Sequence, residues 1–156
     1  MNLQKLLEQN FLKKVDPVSI SQIKKRFETG MSYLNTAKEL FKNNPSLSQV
    51  AYTNLYNAVR IIGETFLLLN GYKATINQHH KTVIQTCQLL MDATDMETLF
   101  SRLDRMRKSR NAMDYDVDIL DVSEAMIKQA IKDAEKFAHT IQIFIEEKDG
   151  QSKLKL

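Results

Sequence analysis

Turn-forming residues are scarce in this chain: four glycines and two prolines are spread over 156 positions. An all-β sandwich or barrel needs a turn signal every roughly 8–12 residues, so that architecture has too little punctuation here. The chain instead carries long stretches with apolar residues three and four apart, the spacing of a helix that buries one face. Ile23, Phe27, Gly30, Leu34, Ala37 and Phe41 form such a stripe between Ser19 and Lys42. A second stripe, Val50, Leu55, Ala58, Ile62, Phe66 and Leu69, follows Ser46 as N-cap and stops at Asn70-Gly71, where glycine can close a helix. A third, Met126, Ala130, Ala134, Phe137, Ile141 and Phe144, is the longest and most regular.

Shorter pieces fill the gaps. Residues 1–15 read as a short amphipathic helix, ended by Asp16-Pro17 because the residue before proline is pushed out of the helical region. Tyr72 to Gln78 is a polar loop, His79 to Met91 a shorter helix, Asp92 to Asp95 a turn, and Met96 to Asn111 another helix. Met113 to Leu120 reads as irregular and acidic. Asp121 and Glu124 are spaced as a capping box for the last helix. Gly150 is expected to end that helix, leaving residues 149–156 as a loose tail. The expected fold is therefore all-α: an antiparallel, up-and-down bundle of four main helices with an additional N-terminal helix. It forms one domain over 1–156, with a core from about 19 to 148.

Composition narrows the classes of function. With 43% hydrophobic and 26% charged residues the chain is neither disordered nor membrane-spanning in type. Its single cysteine, Cys87, excludes a disulfide framework and a cysteine-based metal centre. A lone thiol and the absence of a targeting pattern near Met1 lead us to expect a cytoplasmic protein without a membrane partner.

Few residues invite chemistry. His79 and His80 are adjacent, not four apart, so they do not form the histidine pair of a zinc helix; polar residues at a helix start describe them best. There is no glycine-flanked serine and no glycine-rich phosphate loop, and Cys87 reads as a small buried hydrophobe. We expect no metal and no cofactor. The unusual stretch is Arg102 to Arg110, where Arg102, Arg105, Arg107, Lys108 and Arg110 stand against the single acid Asp104. Asp114, Asp116 and Asp118 follow at once. Basic residues near a helix C-terminus complement its dipole, which explains the signs but not the density. Arg110, Asn111, Asp114 and Tyr115 together offer a guanidinium fork, an amide, a carboxylate and a phenol, a set that can hold a phosphate or lock a subunit interface.

Three stretches, in this order, resemble the HEPN superfamily of small helical domains found in prokaryotic toxin–antitoxin and defence systems. They are Tyr52 to Tyr72, which is aromatic at its start and ends in a leucine run and Gly71; His79-His80-Lys81-Thr82-Val83; and Arg107 to Asp116, with its Arg110-Asn111 and Asp114-Tyr115. The resemblance spans about residues 20–145. It implies a helical homodimer whose signature segments face each other across a cleft, drawing on Arg60, Glu64, His80, Arg107, Arg110, Asn111, Asp114 and Tyr115.

In catalytic members of that superfamily the cleft is a metal-independent ribonuclease site, marked by an arginine followed, after four to six residues, by a histidine. Here the corresponding positions hold Tyr115, Asp116 and Val117 after Arg110, Ala112, Met113 and Asp114 after Arg107, and Arg110, Asn111 and Ala112 after Arg105. None is a histidine. Asp114 and Tyr115, with ordinary pKa values of ~3.9 and ~10, do not replace an imidazole as acid or base near neutral pH. This chain is more similar to the Asp-Tyr group of the superfamily. The resemblance thus implies a dimeric module that binds RNA, a nucleotide or a partner protein, without ribonuclease activity. Arg102, Arg105 and Lys108 would be further nucleic-acid contacts. It also implies a nucleotidyltransferase as partner, with Tyr115 near the position such an enzyme modifies. Two alternatives stay open: a degenerate ribonuclease in which His80 serves Arg110 as the missing base, and a purely structural dimer.

Overall fold

The computed structural model describes residues 1–92, 94–115 and 122–154, with only the backbone of residues 94 and 111–115. Six helices carry nearly all of the described chain: α1 (Leu3–Glu8), α2 (Ile20–Asn43), α3 (Ser48–Leu69), α4 (His79–Met91), α5 (Glu97–Tyr115) and α6 (Glu124–Leu154). The architecture is all-α, as the scarcity of turn residues implies. Among the described residues its one departure is a small antiparallel ribbon of β1 (Leu12–Lys14) and β2 (Tyr72–Ala74).

Apolar stripes set the packing. Ile23, Phe27, Gly30, Leu34 and Ala37 of α2 are buried against α3. Gly30 is what lets the two axes approach: a Cβ there would stand 2.5 Å from Ile62 Cγ1. On its other side α3 meets α4 and α6; a Cβ on Gly63 would stand 2.8 Å from a methyl of Val83 and 3.6 Å from the ring of Phe137. Ser19 caps α2 by accepting a hydrogen bond from the Gln22 amide at 3.3 Å.

Several boundaries differ from the sequence reading. The N-terminal helix is not fifteen residues long; it stops at Glu8, Asn10 takes a left-handed φ of 57°, and the chain enters β1. Leu12 then points inward and pairs with Ala74, with Gly71 (φ 80°) making the turn out of α3. Tyr72–Ala74 is thus strand, not loop. Asn44, not Ser46, accepts the capping hydrogen bond after α2, opening a 3-10 turn at Pro45–Leu47 that precedes α3. Val50 is 49% exposed and Met126 36%, while their neighbours Ala51 and Ile127 are buried. In both helices the stripe begins one residue later than the spacing suggested. Helix α5 continues through residues 113–115, which had read as irregular; residues 116–120 and Asp121 lie outside the described residues. Ser123 caps α6, accepting from the Met126 amide at 3.2 Å. Gly150 does not end α6, because Asp149 pairs with Lys24 at 2.6 Å and with Lys153 at 3.3 Å, tying down that turn. A helical glycine costs only about 1 kcal/mol relative to alanine. Among the described residues, no helix is long and apolar enough to cross a membrane.

Candidate functional site

Tyr52, Tyr56, Arg60 and Glu64 succeed one another at four-residue intervals and so line one face of α3. Three other helices bring charged or polar side chains to this line. Tyr56 is almost wholly buried, and its hydroxyl is hydrogen-bonded to His80 Nδ1, at the start of α4. The two rings stand 5.6 Å apart. Arg110, near the end of α5, lays its guanidinium over the Tyr56 ring at 5.4 Å from the centroid, a cation–π contact. Arg60 donates to Glu64 Oε1 at 2.9 Å, His79 Nε2 reaches the same oxygen at 2.7 Å, and Arg26 of α2 lies 3.6 Å from Oε2.

His79 meets an acceptor at each ring nitrogen, the Thr75 carbonyl at Nδ1 (3.1 Å) and Glu64 at Nε2. Thr75 and Glu64 thus hold the ring in place from both sides. Burial, and then the charges of His79, Arg110 and Arg60, hold the pKa of His80 below the ordinary value, so this ring is neutral near pH 7. Burial pushes the Tyr56 phenol up to about 12, against the pull of Arg110, Arg60 and Arg107, so its hydroxyl keeps its proton. For Glu64, burial would raise the pKa, but the hydrogen bond from His79 and the Arg60 guanidinium outweigh it and hold the carboxyl below its usual value. The cluster therefore has one carboxylate between two guanidinium groups, and one neutral imidazole beside them.

This distribution has a consequence for folding. Both His80 and Glu64 bind protons less readily folded than unfolded, so in each case stability rises with pH across the interval between the two pKa values. Acidification first removes stability below the ordinary His80 value of 6.5, then again below the ordinary Glu64 value of 4.5. We predict that the urea midpoint of the wild-type protein falls from about pH 7 to pH 5.5, and that His80→Gln flattens this upper part while keeping the fall near pH 4. Equal slopes in both proteins above pH 5.5 would contradict the described surroundings of His80.

The residues expected to act from the sequence fall into three groups. Arg60, Glu64, His80 and Arg110 come together. The Arg102–Arg110 stretch does not form one patch. Arg102 turns toward α6 and grips Asp133 with two hydrogen bonds, of 2.8 and 2.9 Å. Arg105 lines the same side, beside a groove of about 310 Å³ bordered by Tyr52, Met106, Ser109 and Ala130. Arg107 and Lys108 pair with Asp104 at 2.8 and 3.1 Å. The side chains of Asn111, Asp114 and Tyr115 lie outside the described residues. Tyr56, His79 and Arg26 were not foreseen as site residues. The four-residue repeat Tyr56, Arg60, Glu64 was the available signal for the first, and adjacency to His80 for the second; nothing in the sequence marks Arg26. Cys87 is fully buried with its thiol directed at the Gly63 carbonyl (3.5 Å), and burial raises its pKa, so it is unreactive. Among the described residues no group of three histidine, cysteine or acidic side chains is placed to hold a metal ion. No protein-family model and no curated protein matches the chain.

Proposed function

We propose that the protein is a HEPN-like helical module, an up-and-down bundle acting as a homodimer, that binds the phosphate of a nucleotide or of RNA at the Tyr56–Arg60–His80–Arg110 cluster. One observation carries this reading: a histidine from α4 bonds to, and an arginine from α5 covers, one buried tyrosine of α3 whose phenol also feels the charge of Arg60, one turn along the same helix. Guanidinium forks match phosphate oxygens in geometry as well as charge. Their half-buried position limits competition from water, which strengthens each hydrogen bond to an anion. The α4 N-terminus adds partial positive charge, and no side chain caps it. The superfamily's setting in toxin–antitoxin or defence systems, with a nucleotidyltransferase as partner, belongs to the same proposal.

The test uses uridine 5′-monophosphate at low ionic strength, followed by calorimetry and by the NMR signals of the two imidazoles. Saturable binding that moves the His80 resonance and weakens with added salt is the expected result. No heat and no shift at millimolar probe would overturn the reading.

A second reading, a degenerate metal-independent ribonuclease, is favoured by the fact that His80 and Arg110 engage the same tyrosine. A neutral His80 can accept the proton of a ribose 2′-hydroxyl while Arg110 faces the phosphate. Cleavage of a fluorophore–quencher RNA by the wild-type protein, lost in His80→Ala, would favour this reading over binding alone.

A further inference from the structure

The positive charge of the cluster does not stop at Arg60 and Arg110. Arg26, Lys73 and His79 line a small cavity of about 110 Å³ that Glu64 and Ala74 share. Lys73 lies on β2, directly opposite Lys13 of β1. Residues opposite one another in an antiparallel pair project from the same face with their Cβ atoms ~4.5–5.5 Å apart, and like charges so placed repel. Leu12 and Ala74, the neighbouring pair, face the core, so Lys13 and Lys73 both face solvent. Two exposed ammonium groups held side by side, with no acid between them in the ribbon, lower the stability of the isolated fold and suit a bridging anion.

The order along the surface is then Arg110, His80 and Arg60, next His79 and Arg26, and finally Lys73 and Lys13. Arg60 and Arg26 stand on the two oxygens of one carboxylate, at 2.9 and 3.6 Å. Glu64 is the acid within this line, and Arg60 and Arg26 already oppose its charge.

We propose that this line is the seat of a single-stranded nucleic-acid backbone. One phosphate sits at Arg60, His80 and Arg110, and those that follow pass Arg26 to reach Lys73 and Lys13. The proposal rests on the phosphate reading above and extends it from a nucleotide to a polynucleotide. A single strand fits better than a duplex because the floor is recessed: the Arg60 and His79 side chains are only 29% and 28% exposed. A flexible strand can lower a phosphate there, and the rigid rail of a duplex cannot. Ile76, 96% exposed on the loop that joins Lys73 to His79, offers apolar cover to an unpaired base.

The experiment compares 5′-phosphorylated, 3′-fluorescein oligouridylates of one to six nucleotides by fluorescence anisotropy. The wild-type protein and Lys13→Ala/Lys73→Ala are each measured at several salt concentrations. Affinity in the wild type is expected to rise about tenfold or more with length, and the double variant to lose most of that rise. The slope of log affinity against log salt should fall by about 1.4 for two lost contacts to a single strand. Binding of the mononucleotide should be unchanged, since neither lysine touches the Arg60–Arg110 seat. Both lysines are exposed, and matching thermal melts verify that the variant is folded. Unchanged length dependence and salt slope in the double variant would overturn the track while leaving the phosphate seat intact. Failure of the mononucleotide to bind overturns the seat and the track together. A polyglutamate of matching charge that competes as well as the hexanucleotide would overturn the nucleic-acid assignment.

Discussion

Phe137→Ala is expected to lower the unfolding free energy by about 3–5 kcal/mol, the usual range for emptying a buried aromatic position. The ring is 1% exposed and joins three helices. It meets Phe100 of α5 edge to face, at 6.1 Å and 88°, and it borders Gly63 of α3. Collapse into the vacated space is restricted because Gly63 has no side chain to advance and Val83 already abuts it. A domain of this size has a total stability of about 5–15 kcal/mol, so the change removes a large fraction of it. Each kcal/mol corresponds to roughly 2–4 °C in Tm at this length. Urea titration monitored by far-UV circular dichroism measures the loss. Phe137→Leu, which refills most of the volume, should cost markedly less. A loss below about 1 kcal/mol in the alanine variant would mean that α3, α5 and α6 do not meet at this ring.

Phe137 was legible in the sequence because it lies at the middle of a regular stripe, where a shift of phase matters little. The ends of the stripes were harder to place. Met126-Ile127 and Val50-Ala51 each offer two apolar neighbours, and periodicity alone does not say which faces inward; contacts with the rest of the core put Ile127 and Ala51 there. The ribbon was illegible for a different reason. Three residues are too few to show a strand's alternation, and Leu12–Lys14 pairs with a partner some sixty positions away. Gly150 reads as a stop because glycine favours helix ends, yet α6 runs on to Leu154, with Asp149 beside it paired to Lys24 across the fold.

The site shows the same division between local and distant information. Arg60, Glu64, His80 and Arg110 carried signals within their own segments. The basic run around Arg102 read as a single surface because linear density says nothing about helical direction. Positions 102, 105 and 109 turn toward α6, whereas 104 and 107 turn away. Arg102 is committed to Asp133 across two helices, a pairing no local motif announces. Tyr56 was visible as one aromatic among several, and only its burial under Arg110 and its bond to His80 give it a role.

The largest functional effect is expected from Arg60→Ala/Arg110→Ala, measured as the affinity for uridine 5′-monophosphate. A hydrogen bond to a charged group contributes about 1.5–3 kcal/mol, so each single change should weaken binding by tenfold to a hundredfold, and the pair together by more than a hundredfold. The two effects should fall short of full additivity. Both guanidinium groups act on Tyr56, as its elevated pKa and their opposing pull record, and side chains that share a partner couple. Arg110→Lys keeps the charge but loses the planar fork and weakens the stack over the Tyr56 ring, so it should recover only part of the loss. For Arg60→Ala stability should change little, since Arg60 is partly exposed and Glu64 keeps His79 and Arg26 as partners. Arg105→Ala supplies the control: it removes the same charge from the α6 side of α5, beside Tyr52. If Arg105→Ala weakens binding as much as Arg60→Ala or Arg110→Ala, the anion is held by general positive charge, and the convergence on Tyr56 is structural.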